Sequence, residues 1–170
     1  PPETALLRLL EIEELLPEKY YIKFYIGLSL VNLGDPEGAL PYFQHALELE
    51  PAYEDIPSIY SYLGLCLKEM EQYKEALLVL KKGIDADPER TDIFNLMGFC
   101  HFKLKEHESA IDCFKNILKL NPSSAIDYAN IASNYRDMGE TEKAVKYYRI
   151  ALDLDPSIDF ARQNLENLTG

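Results

Sequence analysis

Three observations predict an all-α fold built from repeated pairs of antiparallel helices. Prolines that close short leucine- or acid-rich stretches recur at Pro17, Pro51, Pro88, Pro122 and Pro156, separated by 34, 37, 34 and 34 residues. Aligned on them, successive units share a register. Their eighth place holds Gly27, Gly64, Gly98 and Ala132, the twentieth Ala39, Ala76, Ala110 and Ala144, and the twenty-fourth Phe43, Leu80, Phe114 and Tyr148. Within a unit, apolar residues recur every three and four positions, as in Phe94, Met97, Gly98, His101 and Leu104, then Ala110, Phe114 and Ile117. That spacing is one face of each of two helices.

The elements follow in chain order. Residues 1–17 read as a half repeat, the second helix only, because Ala5, Leu9 and Ile12 occupy its twentieth, twenty-fourth and twenty-seventh places. Residues 18–52, 53–90, 91–124 and 125–157 are four full helix pairs, and residues 158–170 form a capping helix. Glu166 fills the eighth place of that last segment, where a following helix would need a small residue. About ten helices result. Gly34 and Gly139 suit the left-handed residue that ends a first helix, whereas Glu71 and Lys105 would each be strained there by up to about 1 kcal/mol. Three additional residues around Glu54-Asp55-Ile56 are expected to lengthen the first helix of the second pair. Pro41, some five places into a helix, should kink it or delay its start.

Composition narrows the function. The 170 residues are 47 % apolar and 27 % charged, which is a globular composition, and the net charge of −12 repels nucleic acid. No apolar run reaches the eighteen or so residues that a membrane span needs, and no signal peptide is visible. The opening Pro1-Pro2, without methionine, reads as a piece of a longer chain. Three cysteines, an odd number, suit reduced thiols in a cytoplasmic protein.

One cluster raises the question of a metal. Cys100, His101, His107 and Cys113 lie within sixteen residues, and zinc is held by such side chains. The register assigns them elsewhere. Cys100 and His101 diverge by about 100° around a helix, and all four occupy places filled by packing residues in the other units. They read as core, with no metal and no cofactor. Glycine-rich phosphate loops, nucleophile elbows and H-E-x-x-H are absent, so the segment reads as non-catalytic.

The repeated large, apolar, small, aromatic, small, proline pattern resembles the tetratricopeptide repeat family over essentially the whole chain. The resemblance implies a right-handed superhelical solenoid whose first helices line a concave groove that receives a protein or peptide. On this chain the groove places supply an apolar stripe of Tyr21, Phe24, Tyr25, Leu28, Tyr62, Leu65, Phe99 and Phe102. They also supply a polar minority of Lys68, Asn95, Lys103, Asn130 and Arg136. The carboxylate clamp of heat-shock co-chaperones does not map onto either possible frame. The expected function is a protein-interaction module whose partner presents apolar anchors. The alternatives are a self-assembling scaffold that uses the leucine-rich N-terminal helix, and a substrate-presenting arm of a larger enzyme.

Overall fold

Helices form where the three-and-four spacing places them. The computed structural model describes residues 2–170 and contains ten α-helices, with no strand among the described residues. They are α1 (Pro2–Leu15), α2 (Tyr20–Asn32), α3 (Pro36–Glu48), α4 (Ile56–Glu69), α5 (Tyr73–Ala86), α6 (Thr91–Lys103), α7 (His107–Leu120), α8 (Ala125–Asp137), α9 (Thr141–Leu154) and α10 (Asp159–Thr169). Residues up to Leu96 form one compact unit and Met97–Gly170 a second.

Four turns of one type join α2 to α3, α4 to α5, α6 to α7 and α8 to α9. In each, a backbone N–H reaches the carbonyl five residues earlier: Asp35 to Leu30, Gln72 to Leu67, Glu106 to His101 and Glu140 to Tyr135, at 2.8–2.9 Å. This bond closes only if the residue before the donor is left-handed. Gly34 and Gly139 adopt φ of 80° and 77° there, and Glu71 and Lys105 adopt 59° and 61° without glycine's freedom. The first turn is also capped, since Asp35 accepts from the Gly38 N–H at 2.8 Å.

The small residues at the eighth place set how closely paired helices pack. A methyl group on Gly27 would lie 2.8 Å from the Phe43 ring, one on Gly98 2.7 Å from Phe114, and one on Gly64 inside the Leu80 side chain. In the first unit Ile26, Phe43, Ile59, Cys66, Leu80 and Ile93 are wholly buried. In the second, Ala129, Ala132, Ala144, Tyr148 and Ala151 form a core closed by Ala161, Leu165 and Leu168 of α10. At the other end α1 packs on α2, where the buried Lys23 ammonium pairs with Glu13.

Two local expectations need correction. The three additional residues do not lengthen a helix: Tyr53–Asp55 is a separate 3-10 turn, and α4 starts at Ile56. Pro57 explains this, because within an α-helix its ring would clash with the Tyr53 carbonyl and leave it without a donor. The turn is instead pinned from outside, by Tyr20 Oη to Asp55 (2.7 Å) and Tyr53 Oη to the Ala86 carbonyl (3.2 Å). Pro41 does not delay α3, which runs from Pro36 through it. The carbonyl it strips of a donor belongs to the exposed Glu37, where water can serve.

Candidate partner-binding surface

In the first unit the expected stripe divides into two kinds of side chain. Tyr21 and Tyr25 stand out from α2, 44 % and 52 % exposed. Phe24 and Tyr62 are half-buried and do structural work: the Phe24 ring meets Phe43 and Tyr62 edge-on at 5.8 and 5.7 Å, and Tyr62 stacks on Phe43 at 5.7 Å. Phe43 is a core residue of α3, so these two rings tie neighbouring helix pairs together as well as flooring the surface. Leu28 and Leu65 are half-buried beside them. Lys68 is not held out as a bare charge, since Glu69 lies 2.7 Å from its ammonium.

A polar network completed by Arg90, which the sequence reading left out, adjoins Tyr62 and Leu65. The Arg90 guanidinium donates Nε and Nη2 to the two oxygens of Asp92, both at 2.8 Å, and Nη1 to Ser58 Oγ at 3.1 Å. Ser61 Oγ donates to Asp92 at 2.7 Å. Burial works to raise the Asp92 carboxyl, but the Arg90 and Ser61 hydrogen bonds outweigh it and hold it below the usual carboxylate range. Together with Asn95 and Leu96 these residues line a cavity of about 440 Å³. Arg90 precedes α6, outside the first-helix places that the register examined. Its spacing of two from Asp92 at a helix start was the available signal.

In the second unit Phe99 is 37 % exposed and Lys103 lies over its ring, 5.4 Å from the centroid. Phe102, one turn further along α6, is half-buried and meets the His107 ring edge-on at 5.9 Å. Arg136 is committed to neighbours, with Nε donating to Asp137 at 2.7 Å and Nη1 to Asn164 at 2.8 Å. Asn95 is exposed in the first unit, and Asn130 is half-buried in the second, where its carbonyl accepts from Asn134 at 2.9 Å.

Cys66, Cys100 and Cys113 are buried thiols. Burial pushes Cys66 up to about 11 and Cys113 up to about 12, so neither supplies a thiolate near neutral pH. His101 and His107 are half-buried rather than core, which corrects the sequence reading. Each has a polar partner, Glu106 Oε2 at 2.6 Å from His101 Nδ1 and Asn134 Oδ1 at 3.0 Å from His107 Nδ1. Among the described residues no three His, Cys, Asp or Glu side chains converge as metal ligands, and no helix is long and apolar enough to cross a membrane.

Comparison with known proteins places this surface in context. The tetratricopeptide repeat pattern matches residues 20–53, 57–90, 91–124 and 128–158. A TPR repeat-containing protein of Methanocaldococcus jannaschii is 28 % identical over 127 residues, 75 % of this chain and 22 % of its own length. The peroxisomal targeting signal receptor of Saccharomyces cerevisiae is 33 % identical over 58 residues, 34 % of this chain and 10 % of its own. The chain therefore spans about a tenth to a fifth of these relatives. Among solved structures, YrrB, a TPR protein with an unusual peptide-binding site, superposes with a TM-score of 0.86 at 22 % identity, covering 97 % of this chain and 84 % of its own. MamA superposes at 0.85 with 19 % identity, covering 91 % of this chain and 89 % of its own.

Proposed function

The chain belongs to the tetratricopeptide repeat family, and from that premise we propose that it is a non-catalytic module that binds a peptide segment of a partner protein along its first helices. One observation carries the reading. Tyr21, Tyr25 and Phe99 remain substantially exposed although the helix pairs behind them are already closed by other residues. Large aromatic rings left exposed on a folded chain mark an interaction surface. The peptide-binding description of YrrB and the signal-receptor name of the yeast relative support the same reading.

The test is a selection of displayed random peptides on the immobilised chain. Peptides rich in aromatic and aliphatic residues should be enriched. They should be captured by variants reversed on the outer helices, Glu48→Lys and Asp85→Lys, and lost on Tyr25→Ala combined with Phe99→Ala. Enriched peptides that follow the opposite pattern would place binding on the outer face and sink the proposal.

A second reading rests on α1. Leu7 and Leu15 are 64 % and 79 % exposed, with Ile12 and Leu16 also outside. Each leucine left in water forgoes roughly 1.5–3 kcal/mol of burial. We infer that this face supports self-association as a scaffold. Sedimentation that finds a strict monomer at high micromolar concentration would remove that basis.

A further inference from the structure

At the end of α6 in the second unit, Phe102, Lys103, Lys105, His107 and Asp137 line an open cavity of about 480 Å³. Its electrostatics run against those of the chain, whose net charge is −12. Among the described residues neither Lys103 nor Lys105 has a carboxylate within ion-pair distance, although acidic side chains outnumber basic ones 29 to 17. The one carboxylate in the lining, Asp137, is already neutralised by Arg136, whose Nη2 lies 2.6 Å away. Lys105 holds a left-handed φ of 61°, as Glu71 does at 59°, where the other two turns have Gly34 and Gly139.

The third basic group is oriented. Asn134, 1 % exposed, donates Nδ2 to the Asn130 carbonyl at 2.9 Å, so its Oδ1 is the acceptor. His107 must then carry its proton on Nδ1 to donate to it at 3.0 Å. The remaining ring nitrogen accepts when neutral and donates when the ring is protonated.

We propose that this notch receives the carboxylate of an acidic side chain, Asp or Glu, lying next to an apolar residue of the partner segment. The inference deepens the groove reading and rests on it. Phe99 and Phe102 are one helical turn apart, so an apolar side chain covering Phe99 brings its neighbours to the two ammonium groups. Lysines are point charges on flexible stems and suit a freely rotating acidic side chain. A terminal carboxylate is better held by fixed amide donors, and the nearby Asn134 amide is consumed by His107 and Asn130.

The experiment presents random displayed peptides in two formats, embedded between flanks and with free C-termini, to the full chain and to its Lys103→Glu/Lys105→Glu variant. Both lysines are exposed, so the melting temperature of the variant should be unchanged within a few degrees. Embedded peptides selected by the unaltered chain should carry Asp or Glu beside a large apolar residue. They should bind the variant at least about tenfold more weakly at low salt. Acidic enrichment confined to free C-termini overturns the side-chain assignment. Absence of acidic enrichment, or equal affinity for both chains, overturns the notch. Peptides that tolerate Phe99→Ala but lose binding to the double variant defeat the groove reading and leave the notch standing. Failure to select any peptide defeats both.

Discussion

The two units treat exposed chemistry in opposite ways. In the first, the aromatic floor is tied into the fold by Phe43, and the charges above it, Arg90 and Asp92, satisfy each other. In the second, Phe99 is 37 % exposed with Lys103 over its ring, and among the described residues Lys103 and Lys105 have no carboxylate within ion-pair distance. Their carboxylates differ in the same sense. Asp92 is held low by Arg90 and Ser61. Asp127 near the start of α8 is 3 % exposed, accepts from Ser124 Oγ at 2.5 Å, and its Oδ1 has no hydrogen-bond partner among the described residues. Burial raises it. A charged or aromatic side chain is therefore structural or available according to what its neighbours offer it.

The largest expected effect breaks the first unit. Tyr62→Ala removes a ring stacked on the buried Phe43 and should lower unfolding free energy by about 2–4 kcal/mol. Phe99→Ala, at an exposed position, should cost about 1 kcal/mol or less. Denaturant melts of the two variants check the contrast, and equal losses would erase it.

Next come the carboxylates. Asp92→Asn should destabilise by about 1 kcal/mol at neutral pH, a figure kept small because the side chain is half in water. Its folded pKa is depressed, so its contribution is present above the ordinary carboxylate range and fades as pH falls through the lower folded value. Asp127 has the opposite sign. Its folded pKa is raised, so folding favours the protonated form; stability falls as pH rises above the ordinary carboxylate value, and the penalty is complete above the raised folded value. Asp127→Asn should thus stabilise by about 1 kcal/mol at neutral pH and show no advantage under acid. Melts across pH should separate the two variants in these directions, and parallel curves would contradict the assignments.

The smallest effect sharpens the notch. Lys105→Gly relieves a left-handed lysine and should raise stability by up to about 1 kcal/mol, while removing one of the two ammonium groups. A loss of stability in a thermal melt would mean that the Lys105 side chain packs where the geometry gives it no partner.

The fold was legible because each helix pair repeats the same spacing, so Gly98, Ala110 and Phe114 could be read from Gly64, Ala76 and Leu80. The surface was less so. A helical wheel describes one pair at a time, and it cannot report that Phe24 and Tyr62 reach Phe43. Nor does a register limited to first helices include Arg90, which arrives from the preceding loop. The 3-10 turn escaped because an insertion of nearly one helical turn looks like added helix until Pro57 is counted.

Apolar contact on the first helices is proposed to dominate binding. Its most direct test is the dissociation constant of a selected peptide for the unaltered chain and for Phe99→Ala, at low and moderate salt. Phe99→Ala should weaken binding at least about tenfold, or about 1.4 kcal/mol, at both ionic strengths with helicity retained, and salt alone should change affinity less. An affinity untouched by Phe99→Ala but collapsing with added salt would contradict it.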